Sequence, residues 1–66
     1  MKFELFFDCD NAAFDPESGG ELGEESARIL EKLVADIRDG AIESSNYKFK
    51  DLRDTNGNVV GQWRCA

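Results

Sequence analysis

The residues most able to do chemistry lie in Asp8-Cys9-Asp10-Asn11, where two carboxylates stand two positions apart directly after an apolar run. This order begins like a calcium-binding loop. However, Ala13 occupies the sixth position, where such a loop needs glycine, and Gly19 occupies the twelfth, where it needs an acid. The segment 54–58 supplies further oxygen atoms, but its composition is typical of a turn. We therefore predict no metal site and no cofactor, and keep weak divalent-metal binding as an alternative function.

Catalysis is the next chemistry to consider, and the composition argues against it. The 66 residues include no histidine, the side chain that most often performs acid–base work near neutral pH. Acidic neighbours on both sides of Cys9 disfavour its thiolate, which is the reactive form. A chain of this length also has little room for a substrate pocket beside a core. We predict that the protein is not an enzyme and has no catalytic residues.

The charge distribution is the most informative feature of the sequence. The chain has 14 acidic and 8 basic side chains, which gives a net charge of −6. Eight of the acids lie between Glu4 and Glu25, where there is no basic residue, whereas from Lys32 onwards five acids face six bases. A surface that serves only solubility normally intersperses both signs. The first half of the chain should therefore give one side of the fold a negative electrostatic field.

A negative field of this kind repels nucleic acid and membrane phosphates but attracts basic protein surfaces. Arginine and lysine side chains that bind DNA phosphates pair with carboxylates in a similar way. We therefore expect the acids to bind the basic surface of a nucleic-acid-binding protein or complex by mimicking DNA, with no direct binding to nucleic acid or membrane. The residues expected to make this contact are Asp8, Asp10, Asp15, Glu17, Glu21, Glu24 and Glu25.

One strand and one loop should position the first of these acids. Lys2 to Asp8 alternates apolar with charged residues, which predicts a strand; Phe6 alone breaks the alternation. Residues 9–20 are rich in Asp, Asn, Pro and Gly, so they predict an irregular loop. We expect Phe14 to anchor this loop to the core.

Residues 21–39 predict an amphipathic helix, because apolar residues recur at three- and four-residue steps. Acids in its first turns suit the helix dipole. Ser18 and Glu21 have the spacing of a capping box. Gly40 is well placed to end the helix in the left-handed conformation, with a polar connection over 41–46. The apolar stripe comprises Ala27, Ile29, Leu30, Leu33, Val34 and Ile37.

Residues 47–53 and 59–65 predict the two strands of a hairpin, since Asn-Gly between β-prone runs is a strong hairpin signal. We expect a three-residue turn with Gly57 left-handed. Counting from that turn sets Phe49 opposite Trp63, and residue 52 opposite residue 60. A bulge near 50–51 is then needed to bring both pairs to one face of the hairpin.

These elements together predict a single domain over 1–66 with an α+β fold. The order is β-α-β-β, and the sheet is three-stranded and mainly antiparallel with one helix packed on one face.

The chain resembles small acidic proteins of phages and mobile elements. The likeness rests on the strand and loop from Phe3 to Phe14, the single amphipathic helix and the hairpin from Leu52 to Trp63. Some proteins of that type are anti-CRISPR inhibitors, and several acidic ones act as DNA mimics on the CRISPR surveillance complex. The resemblance implies an inhibitor that occupies a DNA-binding surface, but it carries over no catalytic or binding residue.

A second class of function stays open beside the mimic. The chain could be a small homodimeric structural or interaction module of a phage or mobile element, with Val59 to Cys65 as its open sheet edge. We expect a monomer, the form that suits a DNA mimic.

The N-terminal residues, the apolar runs and the two cysteines bear on the cellular compartment and on the state of the thiols. The N-terminal residues lack the apolar core of a secretory signal, so we expect a cytoplasmic location, in the host cell if the protein is phage-encoded. No run approaches the ~20 apolar residues of a membrane span. Cys9 and Cys65 are expected to be free thiols, and a bridge stays open if the first and last strands pair.

Overall fold

The computed structural model describes every residue from Met1 to Ala66 and shows an α+β fold. Strands β1 (Phe3–Phe7), β2 (Lys50–Arg53) and β3 (Val59–Cys65) form one antiparallel sheet. Helix α1 (Leu22–Arg38) packs on one face, and a short helix, α2 (Ala41–Ser44), follows it. The predicted fold class, the order of the main elements and the antiparallel sheet are confirmed.

The strand order is β1-β3-β2, so the last strand lies in the middle of the sheet. The prediction that Val59–Cys65 supplies an open edge is therefore wrong, and the two edges are β1 and β2. Gly61 lies at the centre of β3, opposite Phe7 on one side and Leu52 on the other. A Cβ atom there would overlap the Phe6 carbonyl oxygen, so glycine is what lets β1 approach so closely.

The hairpin turn matches its prediction. Asp54 N–H donates to the Asn58 carbonyl over 2.9 Å, and Gly57 N–H donates to the Asp54 carbonyl over 3.0 Å. Gly57 has φ +83°, in the left-handed region that glycine adopts without strain. A three-residue turn therefore joins β2 to β3.

The pairing beyond the turn differs from the prediction by one residue. Trp63 lies opposite Lys50 rather than Phe49, and Leu52 lies opposite Gly61 rather than Val60. The bulge is present, but it lies between Leu52 and Arg53, closer to the turn than predicted. This position brings Leu52 and Trp63 to the same face of the sheet, where both are buried.

The core lies between α1, the sheet and the loop after β1. Its buried members are Ala13, Phe14, Ile29, Leu33, Leu52 and Trp63. Phe14 is only 2 % exposed, so the expectation that it anchors the loop is confirmed. The apolar stripe of α1 is only partly covered, because Leu30 and Val34 remain 39 % and 48 % exposed.

The ends of α1 are formed differently from one another. Gly40 has φ +97° and follows the last helical turn, as predicted. The capping box is wrong: Glu21 is the N-cap residue without a side-chain cap, and Ser18 instead donates its hydroxyl to Asp15 over 3.2 Å.

The connection after α1 is more ordered than its polar sequence predicts. It contains α2, and the buried Ser45 hydroxyl donates to the Ile42 carbonyl over 2.7 Å. Asn46 and Tyr47 then adopt positive φ angles of 56° and 64° before β2 begins.

No helix combines the length and the apolar character needed to cross a membrane.

Candidate functional site

The predicted binding residues lie at one end of an elongated molecule that measures 39 × 18 × 18 Å. We call residues 8–25 together with the hairpin turn 54–58 the acidic end. β1 runs into it, α1 leaves from it, and the turn between β2 and β3 closes it. It contains eight carboxylates and no basic residue: Asp8, Asp10, Asp15, Glu17, Glu21, Glu24, Glu25 and Asp54.

A buried carboxylate joins the loop to the hairpin turn. Asp54 is 4 % exposed and accepts the Asn11 side-chain amide over 2.7 Å. It also accepts the backbone N–H groups of Asn56 and Asn58 over 2.9 and 2.8 Å. The sequence marked 54–58 only as a turn or a weak ligand set, and it gave no signal that this acid would reach Asn11 across the fold.

The hydrogen bonds to Asp54 stabilise its charged form. Desolvation by burial raises the pKa of Asp54, but the hydrogen bonds from Asn58, Asn56 and Asn11 outweigh it, so the pKa lies below its ordinary value of 3.8. Every acceptor position used this way is unavailable to a cation. No group of three or more His, Cys, Asp or Glu side chains comes together to hold a metal ion.

Local turns fix the middle of the acidic loop. Two short 3₁₀ helices, Ala12–Phe14 and Pro16–Ser18, replace the irregular loop that the sequence predicts. Asn11 caps the first by accepting the Ala13 N–H over 3.0 Å. Asp15 caps the second by accepting the Glu17 N–H over 3.0 Å. These caps fix the backbone of the loop while Phe14 anchors it from below, and the Asp15 carboxylate is itself held by its capping contacts.

Six of the seven predicted binding acids form no ion pair within the chain. Asp15 is half-buried by its capping role, and the other five are exposed. Glu21 and Glu24 line a shallow depression between the start of α1 and the hairpin turn, with Thr55 and Asn56 opposite. These acids are free to meet a partner.

Glu25 is the exception among the seven predicted binding residues, because it is buried and paired within the chain. Its side chain is only 7 % exposed and accepts from Arg28 Nε over 2.6 Å. The same guanidinium donates to the Arg53 carbonyl over 3.1 Å, which ties α1 to β2. Glu25 therefore holds the fold together. The spacing of three residues between Glu25 and Arg28 was a signal for this pair in the sequence.

Charges of both signs meet at the opposite end of the molecule. The start of β1, the end of α1, the start of β2 and the end of β3 all meet there. The basic residues at this end are Lys2, Arg38, Lys48, Lys50 and Arg64. Five acids lie there as well, Glu4, Asp36, Asp39, Glu43 and Asp51, so this end is close to neutral and the net negative charge is concentrated at the acidic end.

Both cysteines are free thiols, and they lie in different surroundings. Cys65 is buried opposite Phe3 in the sheet. Cys9 is exposed, with its sulfur 4.0 Å from the Ser26 hydroxyl oxygen.

A second surface lies along β1 and was not singled out from the sequence. Phe3 and Leu5 are 46 % and 38 % exposed, although they lie on the same face of the sheet as Trp63. Among the three strands, helix α1 packs mainly against β2. Comparison with protein-family models, curated proteins and solved structures found no match for this chain.

Proposed function

We propose that this protein is a small binding protein, not an enzyme, whose acidic end occupies the basic surface of a nucleic-acid-binding protein or complex. The contact is made by Asp8, Asp10, Asp15, Glu17, Glu21 and Glu24. The proposal rests on one observation above all. These six carboxylates have no ion-pair partner in the chain, and they lie on the loop after β1 and at the start of α1, both of which pack on the core.

Fixed positions matter because a phosphate backbone is itself a regular array of charges. A backbone held by capped turns loses little conformational freedom on binding, so more of the Coulomb attraction remains as affinity. No basic residue occurs in 8–25 or 54–58, so the field at the acidic end is not cancelled locally. A partner that reads phosphates through arginine and lysine would meet a similar pattern here.

The likeness to small acidic phage proteins extends this proposal to a specific class of target. On that resemblance we propose an anti-CRISPR type of inhibitor that acts in the cytoplasm, or in the host cytoplasm if phage-encoded. A CRISPR surveillance complex is then the partner, and its DNA-binding channel is the surface that the acidic end covers.

A pull-down from a host lysate at low and high salt tests the proposal. Electrostatic capture through the acidic end weakens as salt screens the charges. We expect wild-type protein to capture a nucleic-acid-binding protein at low salt and to lose most of it at high salt. A captured partner that has no nucleic-acid-binding surface would overturn the proposal.

A matched pair of variants separates the acidic end from the total charge. The triple variant Glu17→Gln, Glu21→Gln, Glu24→Gln removes three charges from the acidic end. The control variant Glu31→Gln, Asp39→Asn, Glu43→Gln removes three exposed charges elsewhere. We expect the first to abolish capture and the second to preserve it. Equal losses in both would show that net charge alone drives the binding.

A further inference from the structure

The two edges of the sheet differ in how well they are protected from pairing. β2 carries charged residues at Lys50, Asp51 and Arg53 and has a bulge beside Leu52. Charges and bulges are the features that keep a strand edge from pairing with another chain. β1 is regular over its five residues, contains no proline and has a single charged residue, Glu4. It is therefore the open edge of the fold.

The hydrogen-bond pattern shows which backbone groups of β1 are free. Lys2 and Ala66 exchange both backbone hydrogen bonds, and Asp8 N–H donates to the Val60 carbonyl. Because such bonding alternates along an antiparallel strand, the even-numbered residues of β1 face β3. The N–H and C=O groups of Phe3, Leu5 and Phe7 therefore point away from the sheet, toward the free edge.

We propose that β1 pairs antiparallel with β1 of a second copy of this chain, about a two-fold axis at Leu5. This register sets Leu5 opposite its own symmetry mate and Phe3 opposite Phe7 of the second copy. All three outward-facing residues are then matched, each pair exchanging both backbone hydrogen bonds. The product is a continuous six-stranded antiparallel sheet, and the assembly is closed because the interface is isologous.

Charge complementarity selects a second copy as the occupant of this edge. In the same register Lys2 lies opposite Asp8 of the second copy, and Asp8 lies opposite its Lys2. Antiparallel strands also set the acidic end of one copy beside the nearly neutral end of the other. The two acidic ends are therefore kept apart, while the two Lys2–Asp8 pairs attract one another.

The side chains on the helix side of the sheet are arranged to fill the same contact. Arg28 of α1 reaches β2, so residues on the other flank of the helix lie toward β1. Leu30 and Val34 belong to that flank, in the same row as Ser26, which approaches Cys9 just after β1. Their exposed apolar atoms, with those of Phe3 and Leu5, would be covered by the second copy.

This inference does not rest on the proposed function, and the dimer still presents one acidic end at each extremity of its sheet. Of the acids there, Asp8 alone is used in the dimer contact. The sequence analysis kept a homodimer as an alternative, with β3 as its pairing edge. The proposed dimer uses β1 in place of β3.

Sedimentation equilibrium over a wide range of protein concentrations tests the dimer directly. We expect a monomer–dimer equilibrium for the wild type and a monomer for Leu5→Lys, which would place two like charges at the two-fold axis. A wild-type protein that stays monomeric at every concentration would overturn the proposal. So would a dimer that survives Leu5→Lys, since it must use another surface. Circular dichroism confirms that each variant is folded.

A charge exchange gives a test that does not depend on breaking the apolar contact. Lys2→Asp and Asp8→Lys should each weaken the dimer roughly tenfold or more, since two symmetry-related pairs change from attraction to repulsion. The double variant Lys2→Asp, Asp8→Lys should restore it. Lys48→Asp, an exposed site at the same end of the molecule, is the control and should change little. Failure of the double variant to restore pairing would contradict the proposed register.

Discussion

The acidic end and the β1 edge present opposite kinds of surface on one small chain. At the acidic end, charged residues lie on the outside of a segment that is anchored by Phe14 and by the Asn11–Asp54 hydrogen bond. Along β1, the apolar side chains of Phe3, Leu5 and Phe6 remain partly exposed at the edge of a regular strand. The segment that carries the negative charge is therefore well anchored, whereas β1 leaves apolar surface exposed to solvent.

The first prediction compares two phenylalanines, one from each region. Phe14→Ala should lower the free energy of unfolding by about 3–5 kcal/mol, because it removes a buried ring and leaves a cavity. Phe6→Ala should cost less than about 1 kcal/mol, because Phe6 is 57 % exposed and packs only edge-on against Phe49. Urea denaturation measures both. Similar costs for the two variants would contradict the assignment of Phe14 as the anchor of the acidic end.

The second prediction concerns the pH dependence that Asp54 gives to the acidic end. Its folded-state pKa lies below the ordinary value of 3.8, so its ionised form stabilises the fold above that pH. This contribution is lost as the pH falls below the ordinary value and through the folded-state pKa.

Asp54→Asn is the variant that isolates this effect. We expect it to be less stable than wild type at neutral pH, because an amide group cannot accept every hydrogen bond that the carboxylate accepts. The difference in urea midpoint between the two proteins should shrink as the pH is lowered below about 4. A difference that stays constant with pH would show that Asp54 is not ionised in the folded protein.

The third prediction compares Glu24 and Glu25, two neighbouring acids of the acidic end that have different roles. Glu25→Gln should lower the free energy of unfolding by about 1–2 kcal/mol, since it weakens a largely buried, charge-assisted contact to Arg28. Glu24→Gln should change stability by less than about 0.5 kcal/mol, because its side chain is exposed. Thermal denaturation measures the stability of both variants. Partner capture should change in the opposite order, with the larger loss in Glu24→Gln and the smaller in Glu25→Gln.

The sequence predicts those features of this fold that depend on local chemistry. The amphipathic helix, the left-handed Gly40 and Gly57 and the burial of Phe14 each follow from neighbouring residues. Strand order does not, because it depends on which distant segments pair. Gly61 was the one sequence signal for a central β3, since a glycine inside a strand marks a close backbone approach.

The candidate site shows the same division. The run of acids from Asp8 to Glu24 predicts where negative charge concentrates. Whether a given carboxylate serves a partner or the fold depends on its contacts. The local pair of Glu25 with Arg28 was signalled by their spacing, whereas Asp54 receives Asn11 from a loop 43 positions away in the sequence. The pairing register also shifted, because a bulge between Leu52 and Arg53 cannot be counted from the turn alone.

Competition with nucleic acid for the captured partner tests the central claim most directly. The partner identified by pull-down is bound to its own nucleic acid, and the wild-type protein is titrated against that complex. We predict mutually exclusive binding, which the Glu17→Gln, Glu21→Gln, Glu24→Gln variant loses and the Glu31→Gln, Asp39→Asn, Glu43→Gln control retains. A ternary complex in which protein and nucleic acid bind together with unchanged affinities would contradict the account.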